Sequence, residues 1–452
     1  MWCAVIPALG CGDDMTANPP AARPDAAGEA DAAPPAFGLA TVFVLPGGEP
    51  AEGVPVVFQD ADGEVLGEQL TDADGRAAFE IGRDSMVTLA LWDQLHTVAA
   101  VQPEEVVRLW SPPNNFASPV VGQVRMAGRP VAGAVEYWIA LGCEPLRGSA
   151  SISPSSFITL REDCLAGDGT FDAVVLAIDS DNRPIRFAYR TDVTPDLDGT
   201  TRVPIEWESD VSTVELSYAG DPSGVRQFFG EIGAQRKGLS FASDSAASED
   251  GSPVTVRHLA GFADSVRVRV AVGWVDGYSD IVQSIPTPLP GSFPVTDGDL
   301  APMLSVGSVD LSVPERPVAS WSGDTAAVDG LHIQLALQES NTGESKVWFA
   351  VVPPGTTEFR FPALSDALAP LGPDGYSIVY ERFAWVAAMT ADFAEGYSEF
   401  RDRYLLGYWD SYHPDGEPTY SAAHSSTDLH DREAERPGRG QRRRGAGMTP
   451  TR

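Results

Sequence analysis

From residue 37 onward, apolar side chains recur at every second position. In VRVRVAV, Val266, Val268, Val270 and Val272 alternate with Arg267, Arg269 and Ala271. In TVELSY, Val214, Leu216 and Tyr218 alternate with Glu215 and Ser217. In LHIQLALQ, Leu331, Ile333, Leu335 and Leu337 alternate with His332, Gln334, Ala336 and Gln338. A period of two predicts half-buried antiparallel strands. The 44 Gly and 37 Pro break these runs at short intervals. Many short strands with regular turns predict an all-β fold of tandem β-sandwich domains. Helical candidates are few: SDALAPL makes a short turn at most, and FAWVAAMTADFAEGYSEF carries a pattern that can be misread as helix.

The 452 residues provide for three or four domains, at roughly 100–150 residues each, and four units can be drawn. In residues 37–112, Val54, Val56 and Phe58 face one way, and Ala77, Phe79 and Ile81 form a returning strand. The GVPV strand at Gly53–Val56 followed by TDADGRAAF at Thr71–Phe79 resembles bacterial immunoglobulin-like (Ig-like) and carboxypeptidase-regulatory-like modules. Residues 119–206 repeat the scheme in GQVRMAGRPVAGAVEYW and AGDGTFDAVVLAI, so the first two units read as diverged copies, the second carrying an insertion bounded by Cys143 and Cys164. Residues 210–310 are β-rich, with a polar loop FASDSAASEDGSP and a Pro-rich stretch QSIPTPLPGSFPVTDGD. Residues 312–408 resemble a fibronectin type III module. Trp321 in ASWSG takes the place of that family's buried strand-B tryptophan, and Leu371 and Tyr376 in LAPLGPDGYSIVY resemble its Leu–Tyr corner. That resemblance implies a Tyr376 hydroxyl bonded to upstream backbone.

The chain opens with the apolar run MWCAVIPALGC and turns polar directly after Cys11. Ala8-Leu9-Gly10-Cys11 resembles a bacterial lipoprotein signal, although no Lys or Arg precedes it and position −3 is Ala8 where that family prefers Leu. The resemblance implies a signal over residues 1–11, cleavage before Cys11 and a diacylglycerol on its sulfur. An anchor of two or three acyl chains holds durably where one holds marginally. Residues 12–36 contain Met15 as their one large apolar side chain before the folded body. They cannot offset the entropy of ordering and read as a disordered tether. Residues 409–452 read as a disordered Arg-rich tail, with seven Arg among the last 22 residues. No run of about 20 apolar residues occurs, so no membrane-spanning helix is expected.

Net charge changes the list of partners. With 64 acidic against 31 basic residues the formal charge is −33, which repels phosphate backbones and argues against nucleic acid. If Cys3 leaves with the signal and Cys11 is acylated, Cys143 and Cys164 remain. In an exported protein an even remainder favours a disulfide over two buried thiols.

Candidate chemistry is sparse. Asp-x-Asp-Gly stretches recur at Asp60–Gly63, Asp72–Gly75 and Asp196–Gly199. Carboxylates so spaced can bind Ca²⁺ weakly, but an EF-hand needs glutamate at position twelve, where these have Thr71, Arg83 and Trp207. Asp-Gly between strands is a hairpin signal. No C-x-x-C, metal-type histidine spacing or G-x-S-x-G elbow is present. His332 falls on the polar side of its strand, His96 and His258 stand alone, and His413, His424 and His430 fall in the tail. Trp138, Trp274, Trp321 and Trp348 lie within strand patterns and read as core rather than as a sugar-stacking platform. The expectation is a non-catalytic lipoprotein of the cell envelope, in the outer membrane, without cofactor. Its modules would bind a surface protein or a glycan. A carbohydrate-binding protein and a hydrolase with an unrecognised site are the alternatives.

Overall fold

The structure is a computed structural model. It describes residues 36–428 except 47–48, 92, 111–117, 142–148, 152, 198, 208–210, 238, 275–276, 314, 340–344, 374–378, 392–393 and 405–419. The proposed signal, Cys11, most of the tether and residues 429–452 lie outside the described residues, as do Cys143 and Tyr376.

The described chain is nearly all strand, and the strands group in sevens. The first seven are β1 (Phe37–Leu45), β2 (Pro55–Gln59), β3 (Val65–Leu70), β4 (Arg76–Gly82), β5 (Ser85–Leu91), β6 (Gln94–Val101) and β7 (Val106–Trp110). They form one layer ordered β4-β1-β7, with β1 and β7 parallel, against another ordered β3-β2-β5-β6. The same order recurs in β8 (Val120–Ala127), β9 (Glu136–Ala140), β10 (Ser149–Ser151), β11 (Phe157–Arg161), β12 (Phe171–Ile178), β13 (Pro184–Val193) and β14 (Thr200–Pro204): β11-β8-β14 against β10-β9-β12-β13. It recurs a third time in β15 (Ser212–Tyr218), β16 (Gln227–Arg236), β17 (Leu239–Ser248), β18 (Val254–His258), β19 (Ser265–Trp274), β20 (Gly277–Pro286) and β21 (Ser292–Val295), as β18-β15-β21 against β17-β16-β19-β20. The third stretch therefore shares the plan that sequence repeats disclose only in the first two.

The last seven differ. They are β22 (Ser305–Asp310), β23 (Val318–Ser322), β24 (Gly330–Glu339), β25 (Ser345–Val352), β26 (Glu358–Arg360), β27 (Val379–Ala391) and β28 (Tyr420–Asp428). Here β22-β23-β26 pack against β28-β27-β24-β25. The helix-like stretch divides: residues up to Ala391 are strand, and Tyr397–Tyr404 form one helix, α1. β28 lies inside the stretch read as a disordered tail. Its low hydrophobicity hid a strand held by backbone pairing to β20 and β27.

Three of the four sandwiches share a sheet. Twelve strands run in the order β17-β16-β19-β20-β28-β27-β24-β25-β6-β5-β2-β3. At one junction β28 pairs antiparallel with β20 and with β27; at the other β25 pairs parallel with β6, matching Trp348 to Leu95 and Val351 to Val98. Alternation survives where one face meets water, as in β19, where Val266, Val268, Val270 and Val272 are buried between half-buried neighbours. It fails where both faces are covered. All eight residues of β12 are buried. Phe171, Ala173, Val175 and Ala177 fill the core of their own sandwich, while Val174, Leu176 and Ile178 pack with Phe228, Phe241 and Val268 of the next. β27 does likewise, sending Trp385, Ala387 and Met389 to one core and Ala384, Val386 and Ala388 to another.

Short turns fix the hairpins. The Asp60 carboxylate accepts the amides of Asp62 and Glu64, and Asp72 accepts those of Asp74 and Arg76. Gly63, at φ +80°, also lets a distant segment approach: a Cβ there would sit 3.0 Å from Pro362 Cα. The Ala363 amide donates to the Gly63 carbonyl at 2.8 Å, and Arg316 pairs with Glu64. This ties the first hairpin to the fourth sandwich.

The parallel junction is expected to depend on one buried polar chain. Trp348 Nε1 donates to Thr97 Oγ1 at 2.8 Å, and Thr97 Oγ1 lies 2.9 Å from Thr88 Oγ1. Thr97→Val leaves the indole N–H without its acceptor and should cost about 1–3 kcal/mol. Urea unfolding of the intact chain, followed by tryptophan fluorescence, reads the loss.

Candidate functional site

A set of buried polar and aromatic groups lies where β6 meets β25. Its geometry follows from register. Parallel pairing sets His96 opposite Phe349, and antiparallel pairing sets Phe349 opposite Gln334, which in turn faces Trp385. The His96 and Phe349 rings stack with centroids 5.2 Å apart, and His332 stacks on Phe349 at 5.4 Å. Trp385 meets His332 edge-on at 5.5 Å. His332 was expected in water on the polar side of its strand, but only 8% of it is exposed. The strand's second face is covered by the aromatic row, so alternation could not show which side is wet. His96 is not isolated either. It is 6% exposed, and its Nε2 has no hydrogen-bond partner. Burial pushes its pKa down to about 4.

α1 closes the end of this seam. The Tyr397 hydroxyl lies within hydrogen-bond reach of two carbonyls, Ala99 of β6 at 3.0 Å and Val351 of β25 at 2.8 Å, and so straddles both strands. One turn on, Arg401 is 1% exposed and reaches both carboxylate oxygens of Glu105, at 2.6 and 3.1 Å. Burial acts to raise the Glu105 pKa, but the hydrogen bond and charge of Arg401 outweigh it and hold the carboxyl below its usual range. Asp402, beside the same guanidinium, is raised by burial. A bidentate guanidinium–carboxylate pair is the geometry that best offsets desolvation of both ions.

A second ionic cluster braces the second sandwich against the third. Asp172, the one acid in β12, is 2% exposed and accepts Arg236 Nε at 2.9 Å and the Asp192 amide at 2.7 Å. Arg236 also reaches Asp264 at 3.2 Å. Lys237, one of two lysines in the chain, pairs with Asp192 and Asp168.

Other residues singled out by the sequence fall as follows. Cys164 is fully buried beside Val124, Ile139 and Phe171. Trp138, Trp321 and Trp348 are buried in cores and Trp274 is half-buried. Leu371 packs on the fourth core. The Asp60 and Asp72 carboxylates are engaged as hairpin acceptors, and at Asp196 the backbone carbonyl accepts the Gly199 amide at 3.2 Å. Among the described residues no group of three His, Cys, Asp or Glu could hold a metal ion, and no helix is long and apolar enough to cross a membrane. Sequence reading missed Thr97, Tyr397, Arg401 and Glu105. The available signal was the run LHTVAAV at Leu95–Val101, whose missing alternation marks a strand covered on both faces.

No family model and no curated protein matches the chain. Among solved structures, the TIE protein of Bacillus anthracis is 9% identical, with 58% of this chain and 50% of that one covered and a TM-score of 0.14. This chain thus spans half of that structure's length. A Ca²⁺-stabilised, ice-binding adhesin of an Antarctic bacterium is 11% identical over 78% of this chain and 94% of that one, TM-score 0.13. A tetra-tandem repeat from the extending region of a large adhesion protein gives 11% identity, 78% and 95% coverage, and a TM-score of 0.13. At these scores the likenesses carry no argument about this chain.

The His96 environment sets a pH dependence. The folded seam refuses a proton that the unfolded chain accepts below 6.5. Stability therefore falls as pH drops from about 6.5, and the penalty is complete below about 4. It amounts to about 3 kcal/mol. His96→Phe is expected to remove this contribution, read as a smaller shift of the urea midpoint between neutral and acid buffer. Glu105→Ala removes the bidentate partner of the buried Arg401, leaving Asp402 and Ser398 beside the guanidinium, and should cost about 1.5–3 kcal/mol at neutral pH, read the same way.

Proposed function

We propose that this chain is a non-catalytic protein of the cell envelope, lipid-anchored through Cys11, that presents joined β-sandwich modules for adhesion to a surface protein or a glycan. The observation that carries this reading is the use of the buried ionisable groups. Arg401 and Glu105, and Asp172 and Arg236, neutralise one another across contacts between modules. They act as braces. Calcium at the Asp-x-Asp-Gly turns is the lesser reading, because Asp60 and Asp72 each already commit one oxygen to two backbone amides.

The module limits at 37–112 and 119–206 belong to the same reading, as does a Cys143–Cys164 bridge, whereas the strands of the fourth sandwich run from Ser305 to Asp428, beyond the expected 312–408 and into the end of the expected 210–310. The fully buried Cys164 fits a bridge closing the second module's insertion. Glycan binding would need exposed rings, whereas the rings at the β6–β25 seam are largely covered.

Mass spectrometry of the native N-terminus, combined with membrane fractionation, tests the anchor. The expected product begins at a diacylglyceryl Cys11 and sediments with outer membrane. An unmodified soluble chain beginning at Met1 would exclude it. Reduction of the intact protein should add the mass of two hydrogens for one bridge. Replacing both Cys143 and Cys164 with Ser should lower stability by about 3 kcal/mol.

A further inference from the structure

We propose that the gap between β20 and β27 is a strand-acceptor slot, and that β28 can fill it from a second copy of this chain as well as from its own. β20 and β27 belong to different sandwiches, and each offers the slot an edge. β28 pairs antiparallel with both: Tyr278–Val282 of β20 match His424–Tyr420, and Phe383–Ala391 of β27 match Asp428–Tyr420. Without β28 two sheet edges would stand open side by side, and an open edge is a template for another strand.

β28 pairs through its backbone on both sides. After Tyr420 the strand reads Ser-Ala-Ala-His-Ser-Ser-Thr-Asp, with no apolar side chain larger than alanine. Its neighbour β27, by contrast, sends Trp385, Val386 and Met389 into two cores. Strand addition through main-chain hydrogen bonds needs an extended segment of the right register and few side-chain pockets. The same nine residues of another copy meet that need without alteration.

Connectivity permits the exchange. Residues 405–419 separate it from the end of α1, and a connection of that length reaches at most about 50 Å when extended. The charge of −33 opposes close approach of two copies, but exposed charges are screened beyond about 8 Å at physiological salt. The backbone pairing itself carries no net charge.

Cross-linking of the full chain tests the proposal. Met389 and Ala422 are direct partners across β27 and β28, so Met389→Cys with Ala422→Cys places one thiol on the slot's β27 edge and one on the strand that fills it. Two differently tagged copies of this variant are unfolded, mixed, refolded and oxidised, with each single substitution as control. A tethered strand has an effective concentration on the order of millimolar, so the disulfide joining the two tags should rise at least about tenfold between micromolar and near-millimolar refolding. Cross-links confined within single chains at both concentrations would overturn exchange. A second arm uses Ala422→Pro with Ser425→Pro, which disables the resident strand, and a fluorescent peptide of residues 420–428. Capture of the peptide by this variant and not by the unsubstituted chain supports the slot. A variant with unchanged near-ultraviolet circular dichroism that ignores the peptide would overturn it.

Discussion

The parallel pairing of β6 with β25 is the constraint on which the arrangement of the first and fourth sandwiches rests. It joins strands about 250 residues apart, so the loop-closure entropy is large but grows only slowly with that separation. Four register pairs of backbone cannot supply the return alone. Side chains complete it: the Trp348–Thr97–Thr88 chain fixes the register, the His96–Phe349–His332 row fills the face, and Tyr397 bridges the carbonyls at the end. Each of these polar groups needs the others in place, because in an apolar seam an unmet donor costs more than a met one gains.

Sharing strands alters what a module is. A sandwich on a string has its own core and can rotate against its neighbours. Here Val57 of β2 and Leu95 of β6 belong to a core built chiefly from the fourth sandwich, and Val351 and Trp385 of the fourth belong to the core of the first. Motion at that junction would break both cores. The shared cores thus hold the first and fourth sandwiches in fixed relation.

Much of the architecture was legible. Alternation at Val266–Val272 and Val214–Tyr218 marks strands correctly because each has one face toward a core and one toward solvent. Asp60 and Asp72 were readable as turn formers, since a short carboxylate can cap its own turn whatever surrounds it. The seam was far less legible. His332 looks like the wet side of a strand until Phe349 and Trp385 arrive from strands that no local pattern connects to it. β28 was hidden for the opposite reason: after Tyr420 its sequence holds no apolar residue larger than alanine, and what marks it as a strand is backbone pairing to two neighbours.

By itself the sequence determined the strand character of most of the folded body, the hairpin turns at Asp60 and Asp72, the acidic charge and the repeated sandwich plan of the first two modules. These depend on interactions between residues close along the chain, which composition and period record. Tertiary structure alone decided which strands became interior to a twelve-stranded sheet, which histidines lost their water, and that Arg401 would find Glu105. Those outcomes depend on which edges meet, and an unpaired backbone edge presents the same N–H and C=O groups whatever its sequence. The choice among edges is made by packing across hundreds of residues, where no local period reaches.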